Sequence, residues 1–272
     1  MEQSQAATPT LSWWKRENLV PGLILVVLTV VAWAYTLSQA GAMEPMAPAA
    51  GGMGNMTTSE PVSVLVQLGS LSFFLVGWAV MMVAMMLPAV LPLILLYRTI
   101  ARKRLQPGEV PAGIGALLVG YVGVWTVAGL PVYVYNRLAA VGGTIMTIVP
   151  ALLLVAGGIY QFTALKHGCH ARCSNPLFFL MHQWRSGIRG ALRLGVLHGL
   201  DCLGCCADLM LALVALGMMQ VAWMLTAAVI IFVEKTIPAG HRVARPLGLL
   251  LLVGGVVLLA TSLLSGAGRP LM

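Results

Sequence analysis

The chain has 272 residues, of which 59% are hydrophobic and only 9% charged, and its formal net charge is +8. A soluble domain is about 25% charged, so a mean hydropathy of +0.92 excludes an ordinary soluble core and makes insertion into a lipid bilayer the organising constraint. The basic balance does not point to nucleic acid, because Lys and Arg fall in short loops between apolar runs, where they act as an orientation signal. The odd count of five cysteines excludes a complete disulfide framework.

Residues 1–18 are expected to be a cytoplasmic segment ending in Trp13-Trp14-Lys15-Arg16, an interface pattern. A first span from about Leu19 to Leu37 exceeds a signal-peptide core and reads as an anchor, residues 19–39. Residues 40–63 lack Lys and Arg and hold Pro45, Pro48, Pro61, Met43, Met46, Met53 and Met56. They read as a flexible outer loop. Thioethers select Cu(I), but without a Met-x-x-Met cluster bearing histidines the linker reading is preferred.

A core membrane domain is expected over residues 64–240. Its first span, the second of the chain, runs from about Val64 to Tyr97, longer than the ~20 residues needed to cross. It carries Met81, Met82, Met85 and Met86 on two adjacent helical stripes, with Pro88 and Pro92 permitting a kink. The stripes suit helix packing as well as metal ligation, and spacing alone favours packing. A third span covers about Pro111 to Tyr135 and a fourth about Thr144 to Leu165. Residues 177–193 read as an interfacial amphipathic segment. A fifth span ends near Met218. A sixth covers about Val221 to Val233, extending through Ile237. Residues 241–272 hold a seventh span, about Pro246 to Leu264, and an outer tail.

Loop charge supports this count. Of the 16 Lys and Arg residues, all but Arg137 and Arg269 fall on one side of a seven-span arrangement. The fold class is therefore an all-α polytopic bundle with the N-terminus inside and the C-terminus outside. Glu234, which precedes Lys235 at the end of the sixth span, reads as an interface anchor, and Lys235 counts among the inner-side charges.

The chemistry concentrates in residues 198–208, His198-Gly-Leu-Asp201-Cys202-Leu-Gly-Cys205-Cys206-Ala-Asp208. At about 100° per residue, His198, Asp201, Cys202, Cys205, Cys206 and Asp208 share an arc of roughly 160°. Polar groups inside an apolar helix are costly and usually functional. Cys169, His170 and Cys173 lie at the inner end of the fourth span, so the topology lets the two groups converge. Thiolate and imidazole suit Zn(II) or Cu(I), and methionine sulfur tilts the choice to Cu(I). Each cysteine also has a plain reading as a small buried hydrophobe. Asp201 is a candidate to orient a ligand histidine, and Asp208 to carry protons or cations. Alternatively each acid neutralises a nearby Lys or Arg.

Six stretches form one pattern: Trp78-x-x-Met81-x-x-Ala84-Met85-Met86-x-Pro88; Lys166-x-x-Cys169-x-x-x-Cys173-x-x-Pro176; Gly195-x-x-His198-Gly-x-x-Cys202-Leu-Gly-Cys205-Cys206; Leu209-Met210; Trp223-Met224; and Glu234-Lys235. Over about residues 65–240 this resembles a bacterial family of predicted metal-binding integral membrane proteins. The resemblance implies metal binding through these residues. His170 and Ala207 depart from its pattern, and His170 adds a potential ligand.

Together these readings predict a multi-pass protein of the bacterial inner membrane that binds, delivers or transports a soft metal, Cu(I) ahead of Zn(II). The ligands would come from Cys169, Cys173, His198, Cys202, Cys205 and Cys206, with Met81, Met82, Met85 and Met86 as a relay, and with His170, Asp201 and Asp208 in support. Expected partners are the bilayer, the metal ion, and a metallochaperone or membrane-complex partner. No Walker A, GxGxxG or HExxH motif occurs, so nothing supports ATP-driven pumping or hydrolase chemistry and a non-enzymatic role is expected. The alternatives are a membrane thiol-disulfide oxidoreductase and a structural or assembly subunit.

Overall fold

Long apolar runs without strand alternation select the helix, which satisfies its backbone groups within one segment. The computed structural model describes residues 16–43, 64–106, 108–141, 144–217, 220–236 and 241–267. Over these the chain forms nine α-helices and no strand: α1 (Arg16–Met43), α2 (Val64–Arg104), α3 (Glu109–Val141), α4 (Thr144–Tyr160), α5 (Ala164–Ser174), α6 (Pro176–Gln183), α7 (Gly187–Leu216), α8 (Val221–Thr236) and α9 (His241–Ala267). Most of the expected cytoplasmic N-terminal segment and most of the Met-bearing loop, including Met46, Met53 and Met56, lie outside the described residues.

Four stretches are long and apolar enough to cross a membrane: Ser70–Arg104, Glu109–Ala140, Gly187–Leu216 and Arg245–Leu264. The pair Ile148–Tyr160 and Ala164–Ser174 makes a fifth, bent by 69°. α1 adds a shorter apolar stretch, Gly22–Ser38, and α8 has 16 residues.

Two boundaries differ from the sequence expectation. The fourth span is not continuous over 144–165 but breaks at residues 161–163. Thr163 takes an extended conformation there, and its hydroxyl accepts a hydrogen bond from the Lys166 N–H at 3.3 Å, capping a new helix. The interfacial segment 177–193 is likewise split. Pro176 opens α6, where its missing N–H is of no consequence. Gly187, at φ +83°, then makes the turn into α7, a conformation that a side chain would resist.

Small residues set how closely the helices approach one another. α3 and α7 run parallel, with Gly195 against Leu117 and Gly199 against Tyr121 and Val124. A β-carbon on Gly195 would run into the Leu117 carbonyl, so this crossing is backbone against backbone. α2 runs antiparallel to α3. The Trp78 indole N–H donates to the Trp125 carbonyl at 2.7 Å, Ser70 and Tyr133 share a hydrogen bond at 3.0 Å, and Tyr97 packs on Gly113.

Both halves of the bent pair run antiparallel to α7. Gly157 lies against Asp208, and the Tyr160 hydroxyl donates to the Gly204 carbonyl at 2.7 Å. Beyond the bend, Lys166 meets Asp208, Cys169 packs at Gly204 and Arg172 meets Asp201. The chain thus keeps one direction past the break, unlike a hairpin that turns back. The principal core contains Trp78, Met82, Met86, Trp125, Leu194 and all five cysteines.

Candidate metal centre

The i, i+3 and i+4 spacing of Cys202, Cys205 and Cys206 puts three sulfurs on one side of α7, and that side is buried. α5 brings a fourth. The ligand atoms of Cys173, Cys202 and Cys205 all lie within 4.8 Å of one another, close to twice a typical metal–sulfur bond of ~2.3 Å. The Cys206 sulfur is 3.5 Å from that of Cys205. All five cysteines are unpaired and buried. Gly204 makes the approach of α5 possible, since a β-carbon there would stand 2.7 Å from the Cys169 sulfur.

Two polar groups from other helices close on Cys202. The Tyr121 hydroxyl of α3 is 3.1 Å from its sulfur, and the Lys235 ammonium of α8 is 2.8 Å from it. A cation against sulfur in an apolar interior balances the charge of a thiolate, the form that ligates metals. Lys235, expected among the inner-side loop charges, instead turns inward to Cys202. An acid and a base adjacent in an otherwise apolar helix was the signal that could have flagged it.

The remaining sequence candidates separate. Cys169 is not part of the close thiol group, and its sulfur lies 3.6 Å from Arg172 Nη2. His170 Nε2 is 3.3 Å from the Ser174 hydroxyl, within its own helix. Asp201 accepts from Arg172 Nε at 2.8 Å, and this pair is partly open to the surroundings. Met81, Met82, Met85 and Met86 are buried in the same core as the cysteines. The α2–α3 register places them beside the stretch of α3 that holds Tyr121 and Trp125.

Toward the C-terminal end of α7 lies a second polar layer. Lys166 Nζ binds Asp208 Oδ2 at 2.8 Å and Glu234 Oε2 at 3.5 Å, and it also donates to the Gln161 side chain. Gln161 Nε2 in turn donates to Glu234 Oε1 at 3.5 Å. Lys166, Asp208 and Glu234 are all buried. One ammonium therefore faces two carboxylates, and Asp208 Oδ1 has no hydrogen-bond partner. Glu234, the residue expected as an interface anchor, belongs to this layer.

His198 lies one turn from Cys202 toward the opposite end of α7. Only 2% of it is exposed. Its ring stacks on Tyr121 at 5.9 Å and meets Phe179 of α6 at 5.2 Å. Its Nδ1 is buried without a partner, a situation that ordinarily costs about 1–3 kcal/mol. The axis of α7 thus orders an imidazole, a group of thiols with one lysine, and a lysine with two acids.

No curated protein and no solved structure matches this chain. A family model does, PpoB2, described as "Copper chaperone", over residues 75–258. That range takes in every cysteine, the four core methionines, His198, and the lysines and acids of both polar layers. With well over half of its length matched, the chain belongs to the PpoB2 family of copper chaperones.

Proposed function

We propose that this protein is a multi-pass membrane copper chaperone that binds Cu(I) between α5 and α7 and passes it on. The observation that carries the reading is the buried thiol group of Cys173, Cys202 and Cys205, with Cys206 adjacent. A soft, sulfur-only donor set in an apolar interior suits Cu(I). Zn(II) usually takes four tetrahedral ligands, and Cys206 is the fourth donor that it would need. The seven-span arrangement remains our reading of the membrane topology, with α4 and α5 as one broken span and α6 at the inner surface. Bacterial inner-membrane localisation follows from the same reading.

In this reading the residues have distinct tasks. Cys202 and Cys205 present sulfurs from a rigid helix, and Cys173 closes the site from a second one. Lys235 balances charge beside Cys202, and Tyr121 orients that sulfur. The break between α4 and α5 makes α5 a separate short element, so Cys173 can move relative to α7 without unwinding a long helix. The methionines on α2 are soft donors in the same core and serve as a relay.

The test is metal analysis of protein purified in mild detergent under reducing conditions. The expected result is stoichiometric copper that is lost in a Cys202→Ser/Cys205→Ser variant. A metal-free protein whose thiols cycle with a quinone or thioredoxin would overturn the reading in favour of a thiol oxidoreductase. Stoichiometric zinc with no copper would overturn the metal assignment.

A further inference from the structure

We infer that His198 is a transfer ligand: a position that Cu(I) occupies in passing between the thiol group and the basic end of α7, separate from the site where it rests. The inference builds on the copper reading and names the route by which that site fills and empties.

Three observations carry it. His198 stands outside the close thiol group, yet it lies one helical turn from Cys202 on the same buried side of α7. Its Nδ1 is buried with no hydrogen-bond partner. Buried polar atoms are nearly always paired with protein, water or an ion, so an orphaned nitrogen enclosed by aromatic rings marks a place where a partner comes and goes. Imidazole is also a good ligand for copper.

The other ways out are less favourable for a soft cation. Toward the C-terminal end of α7 the thiols are followed by Lys166, held between Asp208 and Glu234. An ion moving that way meets an ammonium and then hard oxygen ligands. Toward α8 the sulfur of Cys202 is covered by Lys235 at 2.8 Å. Toward the N-terminal end stands the imidazole of His198, roofed by Phe179. That phenyl ring comes from α6, an element of only 8 residues. Beyond it the exposed chain carries Arg189 and Arg193, the end that our topology sets at the inner surface. Cu(I) is stable with two ligands, so Cys202 and His198, one turn apart, can hold it together while its bonds to Cys173 and Cys205 break.

The experiment uses the full-length protein in detergent, loaded with Cu(I) under anaerobic conditions, and follows copper withdrawal by the water-soluble chelator bathocuproine disulfonate. His198→Phe is expected to retain the copper stoichiometry of wild type but to release it roughly tenfold more slowly, the scale on which groups around a metal centre act. His198→Met, which restores a soft donor of similar reach, is expected to recover most of the rate. Release at the wild-type rate from His198→Phe overturns the inference, as when water alone meets Nδ1. Equal slowing in His198→Phe and His198→Met also overturns it, since only packing would then be at stake. Should His198→Phe not accumulate, His198→Leu against His198→Met makes the same comparison. A wild-type protein that holds no copper would instead refute the underlying function.

Discussion

Lys166→Met is the sharpest perturbation of the fold that the structure offers. Lys166 and Asp208 are 3% and 0% exposed, with Nζ and Oδ2 2.8 Å apart, and Glu234, 5% exposed, lies 3.5 Å from the same ammonium. At an effective dielectric of ~20 these two attractions amount to about 6 and about 5 kcal/mol, most of which offsets the cost of taking the charges out of water. Removing the lysine leaves that cost without the attraction, for two carboxylates that also repel each other. The expected loss is about 3–5 kcal/mol, the usual result of breaking a buried pair from one side. At ~2–4 °C per kcal/mol for chains of this size, thermal unfolding in detergent should fall by on the order of 10 °C, measured by tryptophan fluorescence. The triple variant Lys166→Met/Asp208→Asn/Glu234→Gln should recover more than half of the loss, because a neutral group does not need the ammonium. A single variant within about 1 kcal/mol of wild type would refute the argument that this layer holds α5, α7 and α8 together. So would a triple variant no more stable than the single one.

Two further outcomes follow from packing and exposure. Gly195→Ala should prevent stable accumulation or lower the unfolding temperature sharply, because its methyl group would enter the Leu117 backbone, whereas Gly123→Ala, with open space at the same position, should behave as wild type in the same melting assay. Arg172→Ala removes an ion pair to Asp201 in which the arginine is 52% exposed. It should change stability by no more than about 1 kcal/mol and leave copper stoichiometry intact, read by melting and metal analysis together.

The all-α class was legible in the sequence, because apolar runs of spanning length leave the backbone few ways other than a helix to satisfy itself. The candidate thiols were legible too. Cys202, Cys205 and Cys206 share a helix side by spacing alone, and Cys173 lies on a segment that the chain order returns to the same end of the bundle. What spacing could not resolve was which of the neighbours take part. Cys169 and Cys173 are one turn apart on α5, yet only Cys173 joins the close group, because α5 crosses α7 at Gly204 and presents the two sulfurs to different surroundings.

The inward turn of Lys235 and Glu234, the pairing of Lys166 with two acids, and the orphaned nitrogen of His198 were decided by tertiary structure alone. A charge near a helix end looks the same in a one-dimensional reading whether it points to the interface or into the bundle. The difference depends on which helix lies opposite, and that is settled by close approaches at small residues far away in the chain. Sequence by itself determined which atoms are available to a metal; the tertiary structure decided which of them meet, and what stands beside them.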